Sequence, residues 1–355
     1  PVWKHARAFF GKNWIWCMLQ NFGQRQCLCG TSDTVAEEPY RLLHDPSAGN
    51  MKGIGLTMEG INQNPFIFAL MLENVWQDAP VDREAFLREY LANRYGLRNA
   101  STKTVARIGK AWSSLLHSVY SNHTNPDGGK QSVLTDASKL ACPRNFFARD
   151  SLLQAWDSMI PCADELAPSD GFRYDLVDVT RQAMAELLDS LHYEVQKAYH
   201  ARDIDGFKRQ SARVLELIGE IDVMLSTRRE FLLGPWVASA RALGTDAREK
   251  ALYEWNAKTQ ITLWGKPGSP LNDYASKHWA GLAGDFYRRR FSMFYAGQLA
   301  SLRSGKPFDA EAFKTRCLAF EQRWAEGSKR YATEPAHDET EVCRRLYDKY
   351  RKSFK

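Results

Sequence analysis

The sequence predicts the last part of a (β/α)8 TIM barrel followed by a large all-α domain. Two short apolar runs, Trp14–Leu19 and Met51–Leu56, are bounded by glycine and polar loops, as buried parallel strands are. With the helical pattern of Pro65–Trp76, the early chain reads as strand, helix, strand, helix. After residue 80 only helical periodicity follows. We therefore expect the end of the barrel at residues 1–80 and an all-α domain at residues 81–355.

The helical domain is predicted from amphipathic patterns. One set of apolar residues recurs close to a single helical face: Val177, Met184, Leu188, Leu191 and Val195. Similar patterns cover residues 82–95, 101–120, 205–227, 247–261, 272–303, 309–327 and 338–352. Polar segments rich in proline and glycine at residues 121–131 and 265–270 are predicted to be loops between these helices.

Composition indicates a globular protein and excludes several classes of partner. No run of about 18 uncharged apolar residues is present, so no membrane span is expected. The net charge of +6, from 48 basic and 42 acidic residues, is spread along the chain and is typical of an ordinary solvated surface, with at most weak steering of a polyanionic glycan. The basic run Arg288–Arg290 lies in a predicted helix, where successive side chains point in different directions, so nucleic-acid binding is not expected.

The seven cysteines predict neither a disulfide framework nor a zinc site. Their number is odd, and Cys27 and Cys29 are separated by only one residue, which is shorter than the usual spacing of metal ligands. A bridge between Cys142 and Cys162 stays open, and Cys17 is expected to be a small buried residue in its strand. The eight histidines are scattered, and phosphate-loop, zinc-protease and nucleophile-elbow motifs are absent. We expect no cofactor and no metal.

Glu59 is the strongest candidate for a catalytic residue. It follows the second predicted strand and precedes Gly60, and barrel enzymes keep catalytic acids at the C-terminal ends of their strands, where glycine lets other groups approach. The same carboxylate is also typical of a helix start, where the macrodipole favours negative charge. From the residues alone, both interpretations stand.

A set of motifs, in the same order along the chain, carries a resemblance to one enzyme family. These motifs are Trp14–Gly23, Met51–Pro65, Gly171–Gln182, Phe231–Gly234, Thr262–Gly265, Asp273–Ala275 and Ala280–Leu282. Together they resemble the α-N-acetylglucosaminidases, glycoside hydrolase family 89, over roughly residues 10–350. The resemblance implies the same fold, a barrel followed by a helical domain.

The resemblance also implies a mechanism. It implies a retaining exo-glycosidase that releases terminal α-linked N-acetylglucosamine, with Glu59 as the nucleophile. Such an enzyme needs a second carboxyl group about 5–5.5 Å from the first, as general acid and base. Members of the family have most of the barrel ahead of the first motif, so we expect this chain to be the C-terminal part of a longer enzyme. Two strands cannot close a barrel, so the acid/base residue and the other strands are expected in an N-terminal portion.

Three residues near the first strand are candidates for substrate binding. Asn21 carries both a donor and an acceptor for sugar hydroxyls or the acetamido group; alternatively, it only shapes the turn. Trp16 or Phe22 would stack on the sugar ring, although a tryptophan in an apolar strand is often part of the core. Gln24 stands where the family normally has a second glycine, which changes the predicted shape of this loop.

The helical domain supplies two further candidates. Trp264 and Tyr274 match motif positions near the mouth of the family's active site, and an aromatic ring there suits sugar binding, although both rings would serve equally well in packing between helices. Tyr174, Asp175 and Asp178 read as a cluster at a helix start, where carboxylates are commonly caps.

Two classes of function therefore remain. The first is the glycosidase, acting on a glycan with terminal α-linked N-acetylglucosamine such as heparan sulfate, and joined to its N-terminal portion. The second is a non-catalytic or truncated module that contacts carbohydrate or protein. The expected location is lysosomal or secreted in a eukaryote, and periplasmic or extracellular in a bacterium. The sequence leaves room for a homo-oligomer.

Overall fold

A computed structural model describes residues 2–60, 64–124, 132–138 and 148–354. In these ranges the chain is mostly helical, with one two-stranded parallel sheet. Three predicted features lie wholly or partly outside the described residues. They are the segment after Glu59, the loop at residues 121–131 and the cysteine at position 142.

The contacts within the chain divide it into two compact units. The first comprises Pro1–Lys130 and Phe146–Phe172, and the second comprises Gln131–Asn145 and Arg173–Lys355. Residue 80, where we placed the domain boundary, lies inside the first unit. That boundary stays a prediction.

The first unit contains the two strands and six helices in its described part. The strands are β1 (Trp14–Met18) and β2 (Met51–Leu56). The helices are α1 (Val2–His5), α2 (Ser32–Leu43), α3 (Pro65–Glu73), α4 (Arg83–Tyr95), α5 (Thr102–Leu116) and α6 (Arg149–Met159). The predicted order of strand, helix, strand, helix is confirmed from β1 to α3, whereas the pattern of α6 was missed.

Among the described residues, only one face of the sheet is covered. Trp14 and Trp16 point to the face that packs on a hydrophobic cluster of Trp3, Leu42, Ala48 and Met51. Alternate residues of a strand point to opposite faces, so Ile15 and Cys17 lie on the other face together with the glycines of β2. Ile15 is 54% exposed, and Cys17 is an exposed free thiol.

The prediction that Cys17 is buried is therefore wrong for this chain, because nothing in the described residues covers its face of the sheet. Parallel sheets are normally covered on both faces. Of the two cysteines in the possible Cys142–Cys162 bridge, the structure describes Cys162. It is a buried free thiol whose Sγ donates to the carbonyl of Ser158 at 3.4 Å.

The second unit is built from helices in its described part. They are α7 (Asp170–His200), α8 (Ile204–Leu225), α9 (Leu233–Ala242), α10 (Ala247–Gln260), α11 (Arg288–Ser304), α12 (Ala310–Glu326) and α13 (Glu339–Tyr350). Six of the predicted helical patterns match helices of the structure: α4, α5, α8, α10, α12 and α13. The pattern of α9 was missed.

The helix predicted over residues 272–303 is wrong in its first third. A π-helical turn at Ala283–Tyr287 leads into α11, and of the residues before it 272–275 form turns and 276–279 have no regular structure. Asp273 and Ser276 have positive φ angles of 60° and 38°, which a helix does not allow. Ala280 instead pairs with the segment before α9, where its N–H donates to the carbonyl of Phe231 at 2.7 Å.

The basic run at the start of α11 behaves as predicted. Arg288 donates to the carbonyl of Leu215, Arg289 is exposed and Arg290 is buried. Successive helical positions point in different directions, so the three charges do not form one patch.

Candidate active site

The ends of the two parallel strands bring the main candidates to one edge of the sheet. The register pairs Met18 with Leu56. Just beyond this pair, the N–H and the Oγ1 hydroxyl of Thr57 both donate to the carbonyl of Met18, at 3.0 and 3.1 Å. Asn21 and Glu59 each lie three residues past the paired positions. They therefore occupy equivalent places at the C-terminal ends of neighbouring strands, where barrel enzymes hold their catalytic groups.

Glu59 is exposed and is held by the neighbouring loop. Its Oε2 accepts a hydrogen bond from the backbone N–H of Gly23 at 2.5 Å. Gly23 lies in a single helical turn, Phe22–Gln24, and has a φ of 63°. A backbone donor of this kind fixes the direction of the carboxylate.

A close contact with Gln24 explains why the residue after this carboxylate, Gly60, is a glycine. A Cβ at Gly60 would lie 2.3 Å from Cγ and 2.5 Å from Cβ of Gln24, which is too close for any side chain. Gln24 itself has a φ of 62°, a left-handed conformation that glycine adopts without cost. Gln24 thus adopts a backbone conformation that favours glycine while its side chain lies against Gly60.

Buried amide groups hold the two loops together. The Oδ1 of Asn21 accepts from the Nδ2 of Asn64 at 3.0 Å and from the Nε2 of Gln20 at 3.4 Å. Asn64 also donates to the carbonyl of Cys27 at 2.8 Å and accepts from the N–H of Cys29 at 3.2 Å. Asn21 is fully buried in this cluster, which supports the turn-shaping interpretation of that residue.

Sequence reasoning missed Asn64, although a signal was present. Asn64 precedes Pro65 at the start of α3, and an Asn-Pro pair commonly marks a turn. Its φ of 46° is left-handed, whereas a residue before proline normally adopts an extended conformation. Such strained backbone persists where the surroundings fix it, and it clusters at functional sites. The hydrogen bonds of Asn64 to the β1 loop fix it here.

The two aromatic candidates of this unit differ in their surroundings. Phe22 is half-buried in the loop whose N–H holds Glu59. Trp16 is half-buried as well, but it packs against the hydrophobic cluster beneath the sheet. This packing supports the core interpretation of Trp16.

In the second unit, Trp264 and Tyr274 form one aromatic pair. Their ring centroids are 4.9 Å apart in an edge-to-face arrangement, and both side chains are half-buried. Trp264 has a φ of 50°, and its N–H donates to the carbonyl of Thr259 at 2.7 Å. Tyr274 lies in the turns that replace the predicted start of α11, so it is not the helical tyrosine that we expected.

A buried ion-pair network fixes the segment that carries Tyr274. The two terminal nitrogens of Arg290 donate to the two oxygens of Asp273, each at 2.8 Å, and its Nε lies 3.1 Å from Glu321. Burial alone would lower the pKa of Arg290, but the two carboxylates outweigh it and raise this pKa well above its usual value. Burial raises the pKa of Glu321, and Arg290 offsets part of that shift. Burial also raises the pKa of the nearby Cys317 thiol to about 12.

The cluster that we placed at a helix start lies further along its helix. Because α7 begins at Asp170, the side chains of Tyr174, Asp175 and Asp178 lie beyond its first turn and cannot cap it. Asp178 pairs with the buried Arg181 at 2.7 Å, and burial raises the pKa of Tyr174 well above its usual value. These groups stabilise the interior of the helical unit.

Two other kinds of site have no candidate in the described ranges. No group of three or more His, Cys, Asp or Glu side chains there is arranged to hold a metal ion. No described helix is both long and apolar enough to cross a membrane.

Comparison with protein families gives two consecutive matches. Residues 1–78 match the TIM-barrel domain of α-N-acetylglucosaminidase, and residues 86–349 match the C-terminal domain of the same enzyme. Human α-N-acetylglucosaminidase is 33% identical over 354 residues, which is 99% of this chain and 47% of the human protein. The chain thus spans about half the length of that relative.

Solved structures of a family 89 glycoside hydrolase from Clostridium perfringens are similar as well. The complex with PUGNAc matches 99% of this chain and 40% of the bacterial one, with a TM-score of 0.86 and 27% identity. A variant with two glutamates replaced by glutamine, bound to its substrate GlcNAc-α-1,4-galactose, matches with a TM-score of 0.87 and 25% identity. That match covers 100% of this chain and 41% of the bacterial one.

Proposed function

Because the chain belongs to the α-N-acetylglucosaminidase family, glycoside hydrolase family 89, we propose that it is the C-terminal part of a retaining exo-glycosidase. The enzyme removes terminal, non-reducing, α-linked N-acetylglucosamine from a glycan. Its barrel is completed by an N-terminal portion of the same enzyme, joined covalently or present as a separate chain.

The observation that carries this proposal is the position of Glu59. The carboxylate lies just beyond β2, is exposed, and is held by the N–H of Gly23. A nucleophile must be accessible and fixed in direction, and this arrangement supplies both conditions. Glu59 therefore attacks the anomeric carbon and forms the glycosyl-enzyme intermediate, which water then hydrolyses.

The second carboxyl group comes from the N-terminal portion. It donates a proton to the leaving oxygen and later activates the water. The bacterial relative supports a mechanism with two glutamates, since its substrate complex was obtained with two glutamates replaced.

The uncovered sheet supports the same partner. A barrel of eight strands cannot close with β1 and β2 alone, and the exposed face carrying Ile15 and Cys17 is suited to the interior of a complete barrel. The domain boundary near residue 80 belongs to this proposal, and so does the expectation that the chain alone is inactive.

We assign the substrate contacts by motif position, and for Phe22 by geometry as well. Phe22 lies in the loop that holds Glu59, and the edge-to-face pair of Trp264 and Tyr274 offers half-buried aromatic surface. Asn21 acts on the substrate through the shape of this loop, whereas Trp16, which packs beneath the sheet, is proposed by motif position alone. Heparan sulfate and other glycans capped by α-linked N-acetylglucosamine suit this site, in a lysosomal, secreted, periplasmic or extracellular enzyme, with room for a homo-oligomer.

The test is the release of chromophore from an aryl α-N-acetylglucosaminide by the complete assembly. Glu59→Gln removes the nucleophile but keeps the shape of the side chain, so turnover should fall by about three orders of magnitude or more, as it does when other nucleophiles are removed. Glu37→Gln, a change at an exposed position of α2, is the matched control and should keep full activity.

Each other result has a defined meaning. Equal turnover by Glu59→Gln and the unchanged assembly would remove Glu59 from catalysis. No turnover by either would favour the non-catalytic module or a different glycan. High activity of the isolated chain would show that the acid/base residue does not lie in an N-terminal portion.

A further inference from the structure

A cavity of about 400 Å³ in the second unit has an unusual lining. It runs along α9 between the start of α10 and residues 329–333. The lining contains four basic residues and no acidic one: Arg241, Lys250, Lys329 and Arg330. In a chain with nearly equal numbers of basic and acidic residues, this concentration of one charge in one concave site indicates an anionic ligand.

The wall of the cavity is fixed by a close backbone contact. A Cβ at Gly234, in the first turn of α9, would lie 1.9 Å from the carbonyl oxygen of Ala332 and 2.8 Å from that of Tyr331. Only glycine allows this approach. The contact seats the backbone of residues 331–332 on the helix and brings the neighbouring Lys329 and Arg330 to the cavity.

On one side, three cations share a single carboxylate. Glu254 is buried and pairs with Arg241 at 3.1 Å, with Lys258 at 2.9 Å and with Arg330 at 2.8 Å. One negative charge cannot neutralise three positive ones. The half-buried Lys250 lining the cavity makes no ion pair within the part of the chain that the structure describes.

The other side has the same imbalance. Lys329 and Arg289 both pair with Asp285, at 3.1 and 3.0 Å. The carboxylate also accepts a hydrogen bond from the hydroxyl of Tyr331 at 2.7 Å, so its acceptor sites are largely used within the protein. The surplus of positive charge around the cavity is therefore not balanced by its neighbours.

We propose that this cavity binds the anionic groups of an oligosaccharide. Arginine presents a fork of donors that matches sulfate and carboxylate oxygens, and lysine adds a point charge with three donors. The volume lies within the usual range for small-molecule sites. The choice of an oligosaccharide rests on the proposed function, whereas the choice of an anion rests on the charges of the cavity alone.

The experiment measures binding of a sulfated chondroitin tetrasaccharide by calorimetry, at low and at physiological salt, to the complete assembly. This probe carries no terminal α-linked N-acetylglucosamine, so the proposed catalytic site does not compete for it. The desulfated tetrasaccharide, which keeps its carboxylates, and inorganic sulfate are measured beside it. Turnover of the neutral aryl substrate is recorded for each variant, so that failure of the cavity and failure of the proposed catalysis are distinguished.

Two double variants remove the same charge from different places. Lys250→Gln with Arg330→Gln changes the cavity, whereas Lys103→Gln with Lys110→Gln changes exposed positions on α5. The cavity variant should bind the sulfated probe about tenfold more weakly, and the α5 variant should bind it normally. Lys250→Glu alone tests the same point without breaking an ion pair, in case the double variant does not fold.

Binding that weakens with salt and is lost only in the cavity variants supports the proposal. The desulfated probe then decides whether sulfates or carboxylates are recognised. No binding of either tetrasaccharide, or equal weakening in both double variants, would overturn it. Inorganic sulfate that competes as tightly as the tetrasaccharide would overturn the assignment to an oligosaccharide.

Discussion

The two units of the chain use their carboxylates in opposite ways. In the first unit, Glu59 is exposed and accepts a hydrogen bond from the backbone N–H of Gly23. In the second unit, Asp273 and Glu321 are buried and share Arg290. A buried carboxylate committed to an ion pair cannot approach a substrate, however strongly its environment perturbs it. Access and a fixed direction, rather than the strength of electrostatic contacts, therefore single out the carboxylate suited to chemistry.

Removing Arg290 should break this contrast most severely. Arg290→Ala leaves Asp273 and Glu321 buried without their cation, so we expect the free energy of unfolding to fall by about 3–5 kcal/mol. Arg289→Ala, one residue earlier, removes an exposed partner of Asp285 and should cost less than about 1 kcal/mol. Urea unfolding of both variants measures the difference. Equal losses would show that the buried network contributes no more than a surface pair.

The second prediction concerns the neutral groups that hold the loops of the first unit. Asn64→Ala removes the donor to Asn21 and leaves the N–H of Cys29 without that acceptor, so we expect a loss of about 1–3 kcal/mol. Asn50→Ala removes an exposed amide that donates to the carbonyl of Gly11, and it should cost much less. Unfolding curves test this, and turnover of the aryl substrate by the complete assembly should fall for Asn64→Ala alone. If Asn64→Ala keeps full turnover despite its lost stability, the amide cluster does not shape the active site.

The third prediction uses pH to separate the units. Burial lowers the pKa of Lys277, in the second unit, to about 7. An unfolded lysine has a pKa of about 10.4, so between these two values the unfolded state binds more protons than the folded state. The free energy of unfolding should then rise with pH across this window, by at most about 1.4 kcal/mol per unit.

Lys277→Met should remove that slope. Subtracting the free energy of unfolding of the variant from that of the unchanged chain cancels the contributions of other titrating groups. Lys250→Met, at a half-buried position, is the control and should keep the slope. Denaturant unfolding at several pH values between about 7 and 10 measures it. A slope that survives in Lys277→Met would assign the effect to another group.

The sequence predicted local features well and distant contacts poorly. The strands followed from apolar runs between glycines, and so did the position of Glu59 just after β2, whereas its catalytic role stays a prediction. The start of the helix predicted over residues 272–303 failed because Asp273 takes a positive φ and is paired with Arg290, which lies 17 residues further along the chain. Asn64 was missed for the same reason, since its partners lie in a loop 35 or more residues earlier.

The smallest predicted effect concerns the shape of the loop beside Glu59. Gln24 has a left-handed backbone that costs about 1–2 kcal/mol for a residue with a Cβ. The greater freedom of unfolded glycine offsets about 0.4–1 kcal/mol of this, so Gln24→Gly should stabilise the first unit by up to about 1 kcal/mol. Gly60→Ala alone should be destabilising, because its Cβ would meet the side chain of Gln24. In the Gln24→Gly background that clash is absent, and Gly60→Ala should cost much less.

A double-mutant cycle of unfolding free energies measures this coupling between positions 24 and 60. Additive effects would show that the two residues do not meet in solution. A coupled pair would show that the first unit sets the surroundings of its exposed carboxylate by backbone shape and close packing. The second unit sets the surroundings of its buried carboxylates by charge. The two units would then differ in the residues around their carboxylates as well as in the carboxylates themselves.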